Sequence, residues 1–339
     1  MYSQSFENPI VFVSRNHQLN GNVLFPQSGL LPGMGAHSRT TIVGGKLVIR
    51  NSDGSITTLI DSTMSFNGIS LIDVQQPCVN WDGSRILFSG VENRDSSWRI
   101  YEINKNGSNF RKITYTDRII NLSQFSLAST RFLRYDDIDP IYLPEGKIVF
   151  ASTRFPSISQ YGSALTTNLF IVDSTGQNMY RITTERNGAE KPTIDPVSGR
   201  IVYSRWWLNI DMPSNITQNG LTRDTSLALS KDIGNLWQIN IINPDADMLK
   251  LYAGDPQNRK SLFGYRPRLD SEGNMFVCYV PHLPLLYTGG STGIRYFPKG
   301  LSEFKNISGV DTSTNLYIQN PPSTGTMLPP YAVDPLPVS

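Results

Sequence analysis

One pattern recurs four times along this chain and restricts its fold more than any other feature. PCVNWDGSRILFSG (77–90), DPIYLPEGKIVFAS (139–152), KPTIDPVSGRIVYS (191–204) and RPRLDSEGNMFVCY (266–279) each read as a short strand, a tight turn and a second, more apolar strand. Each has a proline near its start and a glycine in its turn. Proline suits the beginning of a strand, where a missing N–H removes little from the ladder. Glycine supplies the positive φ of a tight hairpin. A second hairpin follows the first: RIYEINKNGSNFRKIT (99–114) matches NLFIVDSTGQNMYRIT (168–183) closely. GKLVIRNSDGSITTLID (45–61) is another copy, and NLWQINIINPDADMLKLY (235–252) is a looser one with a longer turn.

Two such hairpins in succession make four antiparallel strands, the size of one β-propeller blade. In the best-preserved unit the strands are expected at Pro140–Leu143, Lys147–Ser152, Asn168–Val172 and Met179–Ile182. The chain is therefore expected to be all-β, a β-propeller of four-stranded antiparallel blades with about five recognisable blades and very little helix. Residues 1–300 carry this pattern, and residues 301–339 form a Pro-rich irregular tail. PIVFVSR (9–15) resembles the second strand of the unit and has no first strand before it. AVDPLPVS (332–339) resembles the opening of a first strand. Either this last segment closes the ring, or it starts a further blade of a longer ring. The poor packing capacity of the tail favours the second reading.

Strand direction sorts the connections. If each first strand starts at the top, the hairpin turns WDGS, PEGK, VSGR, SEGN, KNGS and STGQ all lie at the bottom, and all are short. Every long insertion (15–45, 115–135, 153–167, 204–234 and 281–293) then falls at the top. Long loops gathered on one side of a rigid scaffold are where function usually sits. The candidate binding residues are those that map there: Asp136, Asp137 and Asp139 at one first-strand entrance, Arg186 and Glu190 at the next, Arg266 at another, and Arg154, Arg205 and Trp206 at the ends of second strands. Arg154 and Arg205 are also expected to pair with acids of the adjacent blade. The Trp206-Trp207 pair starts the longest insertion, and strand alternation should bury one of the two.

Several chemistries are excluded. The 30 Lys plus Arg and 28 Asp plus Glu leave a net charge of +2, which argues against a nucleic-acid partner. No apolar run is long enough for a transmembrane helix, and MYSQSFENPI lacks the basic and apolar regions of a signal peptide. The two cysteines, Cys78 and Cys278, form no CxxC or CxxCH motif and read as unlinked strand residues. His17, His37 and His282 are too few and too separated for a zinc site. Asp136, Asp137 and Asp139 lack the glycine and bidentate glutamate of a Ca²⁺ loop, so turn capping or arginine pairing is expected of them. No nucleophile elbow, Walker sequence, HExxH or GxGxxG motif is present. No cofactor, metal or catalytic residue is expected.

The hairpins WDGSRILFSG, LPEGKIVFAST and RIYEINKNGSNFRKIT resemble the repeats of TolB-type β-propellers. Across residues 9 to 300, PIVFVSR, LPGMGAHSR, YDDIDPIYLPEGKIVFASTR, TTNLFIVDSTGQNMYRITTERNGAEKPTIDPVSGRIVYSRWW and GIRYFPKG are similar to the propeller region of hydrazine synthase α-subunit-like proteins. That resemblance implies a propeller lying between haem-bearing domains of an extracytoplasmic multihaem enzyme. The haem-attachment motifs are missing here, so only the fold and an extracytoplasmic location carry over. The functional expectation is a non-catalytic propeller that binds a protein or small ligand through its top face. The alternative is the propeller domain of a larger multihaem redox enzyme.

Overall fold

A computed structural model of the chain describes residues 7–15, 39, 41–119, 121, 123–124, 130–159, 165–208, 235–253, 264–278, 294–299 and 305–306. Among them there is no α-helix, only short 3₁₀ turns. The fold is all-β, and the described residues form nineteen strands in five antiparallel sheets of β-propeller blade type. The first sheet holds β1 (Ile10–Ser14), β2 (Lys46–Arg50) and β3 (Ile56–Ile60). The second holds β4 (Asp73–Val79), β5 (Arg85–Val91), β6 (Arg99–Asn104) and β7 (Arg111–Lys112). The third holds β8 (Asp137–Tyr142), β9 (Ile148–Ser152), β10 (Asn168–Val172) and β11 (Tyr180–Arg181). The fourth holds β12 (Gly188–Ile194), β13 (Ile201–Leu208), β14 (Asn235–Ile242) and β15 (Lys250–Ala253). The fifth holds β16 (Tyr265–Leu269), β17 (Met275–Cys278), β18 (Ile294–Phe297) and β19 (Lys305–Asn306). Among the described residues the first sheet has no first strand, as PIVFVSR suggested.

The chain divides into two compact units, one containing β1–β11 and the other β12–β19. In the first unit, β5 shows how one strand cements three sheets. Its run Ile86-Leu87-Phe88 is fully buried. Alternation sends Ile86 and Phe88 into one core with Leu47, Ile49 and Leu59 of the first sheet. Leu87 points the other way, into a core with Tyr142, Ile148, Phe150 and Phe170 of the third. A strand apolar at consecutive positions is what a sheet covered on both faces requires. In the second unit, Val202, Ile239 and Ile241 meet Met275, Val277 and Phe297 in the same manner. Phe88, Phe150, Tyr203 and Val277, equivalent places in the repeat, are all fully buried.

The repeated proline has a different role from the one its position suggested. First strands begin earlier than the pattern implied: β8 starts at Asp137, not at Pro140. Each proline therefore lies inside its strand, within a register shift: Gln75 to Cys78, Ile138 to Ile141, Glu190 to Thr193 and Tyr265 to Arg268. The residue before it is left-handed every time: Gln76 (φ 52), Asp139 (φ 57), Lys191 (φ 54) and Arg266 (φ 56). These are β-bulges, and the proline has no N–H to leave unpaired there. Two of the freed N–H groups cross to the preceding sheet. Asp139 N–H donates to Ser89 Oγ at 3.2 Å, and Arg266 N–H to Ser204 Oγ at 3.0 Å.

The bottom turns match expectation, with one addition. Gly176 has φ +84, and a Cβ there would lie 2.6 Å from the Ile113 carbonyl oxygen of the neighbouring sheet. Gly176→Ala is expected to cost about 1–3 kcal/mol in denaturant unfolding, because it combines a disfavoured φ with an overpacked contact. An alanine variant as stable as the parent would show that the second and third sheets do not approach there.

Candidate functional site

The end of the first unit from which the β1–β2, β7–β8 and β9–β10 connections emerge is knitted together by charge. Arg15, just after β1, reaches into the second sheet and clamps Asp73 with two guanidinium nitrogens at 3.0 and 2.6 Å. Burial nevertheless pushes the Asp73 carboxyl above its ordinary pKa, against the opposing pull of Arg15. Arg39, from the first insertion, pairs with Asp136 at 3.4 Å and accepts the Trp98 indole N–H on its carbonyl at 2.8 Å. Asp136 also accepts the Trp98 backbone N–H at 3.0 Å. Its carboxyl too is pushed up, by burial first, with Arg39 acting against.

Asp137, fully buried at the start of β8, accepts from Ser152 Oγ at 2.6 Å and from Arg154 at 2.8 and 3.3 Å. Arg154 reaches on to the half-exposed Asp117 at 3.3 Å. At the centre lies the buried Tyr135, with three guanidinium groups around its ring: Arg99 at 4.4 Å, Arg118 at 4.7 Å and Arg154 at 5.1 Å from the centroid. Its hydroxyl donates to the Tyr115 carbonyl at 2.9 Å and accepts the backbone N–H groups of Asp117 and Arg118 at 3.0 and 3.3 Å. Tyr135 thus fixes the start of the β7–β8 loop, and burial holds its phenol above the ordinary tyrosine pKa.

The structure sorts the sequence candidates into two groups. It brings Asp136, Asp137 and Arg154 together in the first unit. Asp139 is set apart from them, since its left-handed backbone serves the β8 bulge. In the second unit, Glu190 accepts the Tyr265 hydroxyl at 2.9 Å inside β12, and the Arg266 guanidinium lies 5.9 Å from the same ring. Arg205 donates to Glu185 at 2.6 Å, and Tyr203 donates to the same carboxylate at 2.9 Å. The carbonyl of the exposed Arg186 accepts the Thr166 hydroxyl at 3.3 Å. Trp206 belongs to β13, which runs on to Leu208, and it is buried against Trp237 with ring centroids 5.7 Å apart.

Among the described residues Arg154 and Arg205 pair with no strand residue of an adjacent blade: Arg154 pairs with Asp137 and with Asp117 of the β7–β8 link, and Arg205 with Glu185 of the β11–β12 link. Asp137 is in the same sheet as Arg154's strand, and Glu185 lies in the segment leading into β12 of Arg205's own sheet. Arg15, whose partner Asp73 is in the next sheet, does cross. His17, His37, His282 and most of the 15–45, 204–234 and 281–293 insertions lie outside the described residues. Among the described residues no three His, Cys, Asp or Glu are grouped to hold a metal, and no helix is long and apolar enough to cross a membrane.

Sequence reasoning missed Arg99, Arg118 and Tyr135. One signal was present: Arg99 stands where two other copies of the repeat have Asn168 and Asn235 and a third has Lys46. It also missed a cavity of about 350 Å³ in the second unit, floored by Ile241, Tyr252, Met275 and Phe297, with Lys250 and Lys299 at its rim. Burial, with Asp195 and Asp270 nearby, pushes the Tyr252 phenol there up to about 12.

Comparison with solved structures finds hydrazine synthase of Kuenenia stuttgartiensis, superposing with a TM-score of 0.56 at 14% identity over 82% of this chain. TolB of Acinetobacter baumannii superposes with a TM-score of 0.50 at 14% identity over 89% of it. The fold is that of a TolB-like β-propeller. The match spans 36% of the hydrazine synthase chain and 53% of the TolB chain, so the TolB-like fold is what these likenesses share with this protein. No family model matches the sequence, and no curated protein matches it by sequence.

Proposed function

We propose that this TolB-like propeller is a non-catalytic binding module that holds a protein or ligand at its long-loop end. The observation that supports this most is the contrast at that end of the first unit. Buried ion pairs fix the loops, yet large apolar side chains on the same loops stay in solvent: Ile119 is 99% exposed and Leu133 65%, with Tyr115 and Phe155 also exposed. Arginines beside exposed apolar and aromatic groups on a rigid support are the composition of interface centres. The test is a Leu133→Ser, Phe155→Ser double variant compared with the parent for capture of partners from an extract. Leu133→Ser should shift stability by no more than about 0.5 kcal/mol, and Phe155→Ser by about 0.5–1 kcal/mol more, because the Arg181 guanidinium lies 3.9 Å from its ring. Equal capture by both proteins would sink the reading.

A second reading is supported by the likeness to hydrazine synthase: the propeller of a larger extracytoplasmic multihaem redox enzyme. The extracytoplasmic location rests on the same likeness. CxxCH motifs in the reading frame around this sequence would favour it, and a frame without them would remove it.

A further inference from the structure

We infer that the arginine-rich end of the first unit is an oxyanion site, where Arg118 meets a carboxylate or phosphate of the ligand. This deepens the binding reading above and rests on it. The charges at this end do not balance. Arg154 is answered by Asp137 and Asp117, and Arg39 by Asp136. Among the described residues Arg118 forms no ion pair, and Arg99 forms none in direct contact, although it lies near enough to Glu92 and Asp136 to act on both carboxyls. Arg99 donates only to neutral acceptors, the carbonyls of Trp98 and Tyr135, each at 2.7 Å, and Thr116 Oγ1 at 2.9 Å. It is 4% exposed, and its Nε is buried with no hydrogen-bond partner. Arg118 donates to the carbonyls of Arg154, at 3.2 Å, and Phe132.

The first unit's own loop segments at this end are short of negative charge. The described residues at 39, 41–45, 118–119, 121, 123–124, 130–135 and 153–156 include no Asp or Glu, while they include Arg39, Arg118, Arg131, Arg134 and Arg154, of which Arg134 lies 3.9 Å from Asp95. Burial, then the nearby Arg154 and Arg99, pull the Arg118 guanidinium below its ordinary pKa, so an anion there would relieve repulsion as well as make new bonds. A guanidinium offers the two-pronged donor that carboxylate and phosphate accept. Arg99 and Arg154 flank the same Tyr135 ring and reinforce the field from behind. The commitment of the Tyr135 hydroxyl to residues 115–118 holds Arg118 in place for this. Asp117 stays on Arg154.

The experiment titrates the full chain with inorganic phosphate and, separately, citrate by calorimetry, with sodium chloride at matched ionic strength as control. Saturable binding of one or both is expected, weakened at least tenfold in Arg118→Gln and only a few-fold in Arg118→Lys, which keeps the charge and guards against a folding failure of the first variant. Preference between the two anions distinguishes a phosphate ligand from a carboxylate one. No saturable heat with either anion, or the same affinity in Arg118→Gln, overturns the site. If that happens while partner capture still depends on Leu133 and Phe155, the binding-module reading stands without it. Arg118-dependent anion binding with capture indifferent to those residues would uphold the anion site and remove the apolar interface.

Discussion

Phe150→Ala is expected to lower the unfolding free energy by about 3–5 kcal/mol, read from urea denaturation. The ring is fully buried in the core shared by the second and third sheets, against Leu87, Ile100, Tyr142 and Phe170. It lies 6.1 Å from the Phe170 ring, and the Arg154 guanidinium sits 5.7 Å from it. The cost has two parts: apolar surface returned to water, and a cavity that paired strands on both sides cannot collapse to fill. Since a small domain is stable by about 5–15 kcal/mol, such a loss would move the transition midpoint conspicuously. A change below about 1 kcal/mol would mean that β9 does not face the second sheet.

Asp137→Ala should be similarly damaging, about 3–5 kcal/mol, for an electrostatic reason. Asp137 is fully buried, and the Arg154 side chain is only 10% exposed. Removing the carboxylate leaves a desolvated guanidinium with the half-exposed Asp117 as its remaining acid, and with Arg99 and Arg118 on the same aromatic ring. Replacing both partners, as in Asp137→Leu with Arg154→Met, should restore part of the loss, since the penalty arises from the orphaned charge more than from the absent pair. Arg205→Ala is the contrast. Glu185 would keep the Tyr203 hydroxyl, and Arg205 is 31% exposed, so a smaller loss is expected. If Asp137→Ala proved as stable as the parent, the Asp137–Arg154 pair would not be the anchor of the loop end. A double variant less stable than Asp137→Ala would show that the pair is not dominated by desolvation.

How far the sequence reached depends on the range of the interaction involved. Strand β10 was legible to the residue at Asn168–Val172 because period-2 alternation and a bounding turn are local signals. The turn glycines were legible for the same reason. The start of β8 was not. Asp137, Ile138 and Asp139 look like a polar strand entrance, and they become strand residues only because β9 pairs with them and Arg154 neutralises Asp137. The bulges escaped because proline carries the same local meaning at a strand's edge and at a bulge, and the partner strand decides between them.

The sequence by itself determined the blade: its strand alternation, its turn chemistry, and the asymmetry between short and long connections are all written within some fifty residues, from Tyr135 to Thr183. Only the tertiary structure decided which charges meet. Tyr135 gathers Arg99, Arg118 and Arg154 from three separate stretches of chain, and Arg15 finds Asp73 fifty-eight residues away. A lone arginine in a sequence announces a charge and no partner. Whether that charge is answered depends on burial and on distances of a few ångströms, which exist only once the sheets have packed.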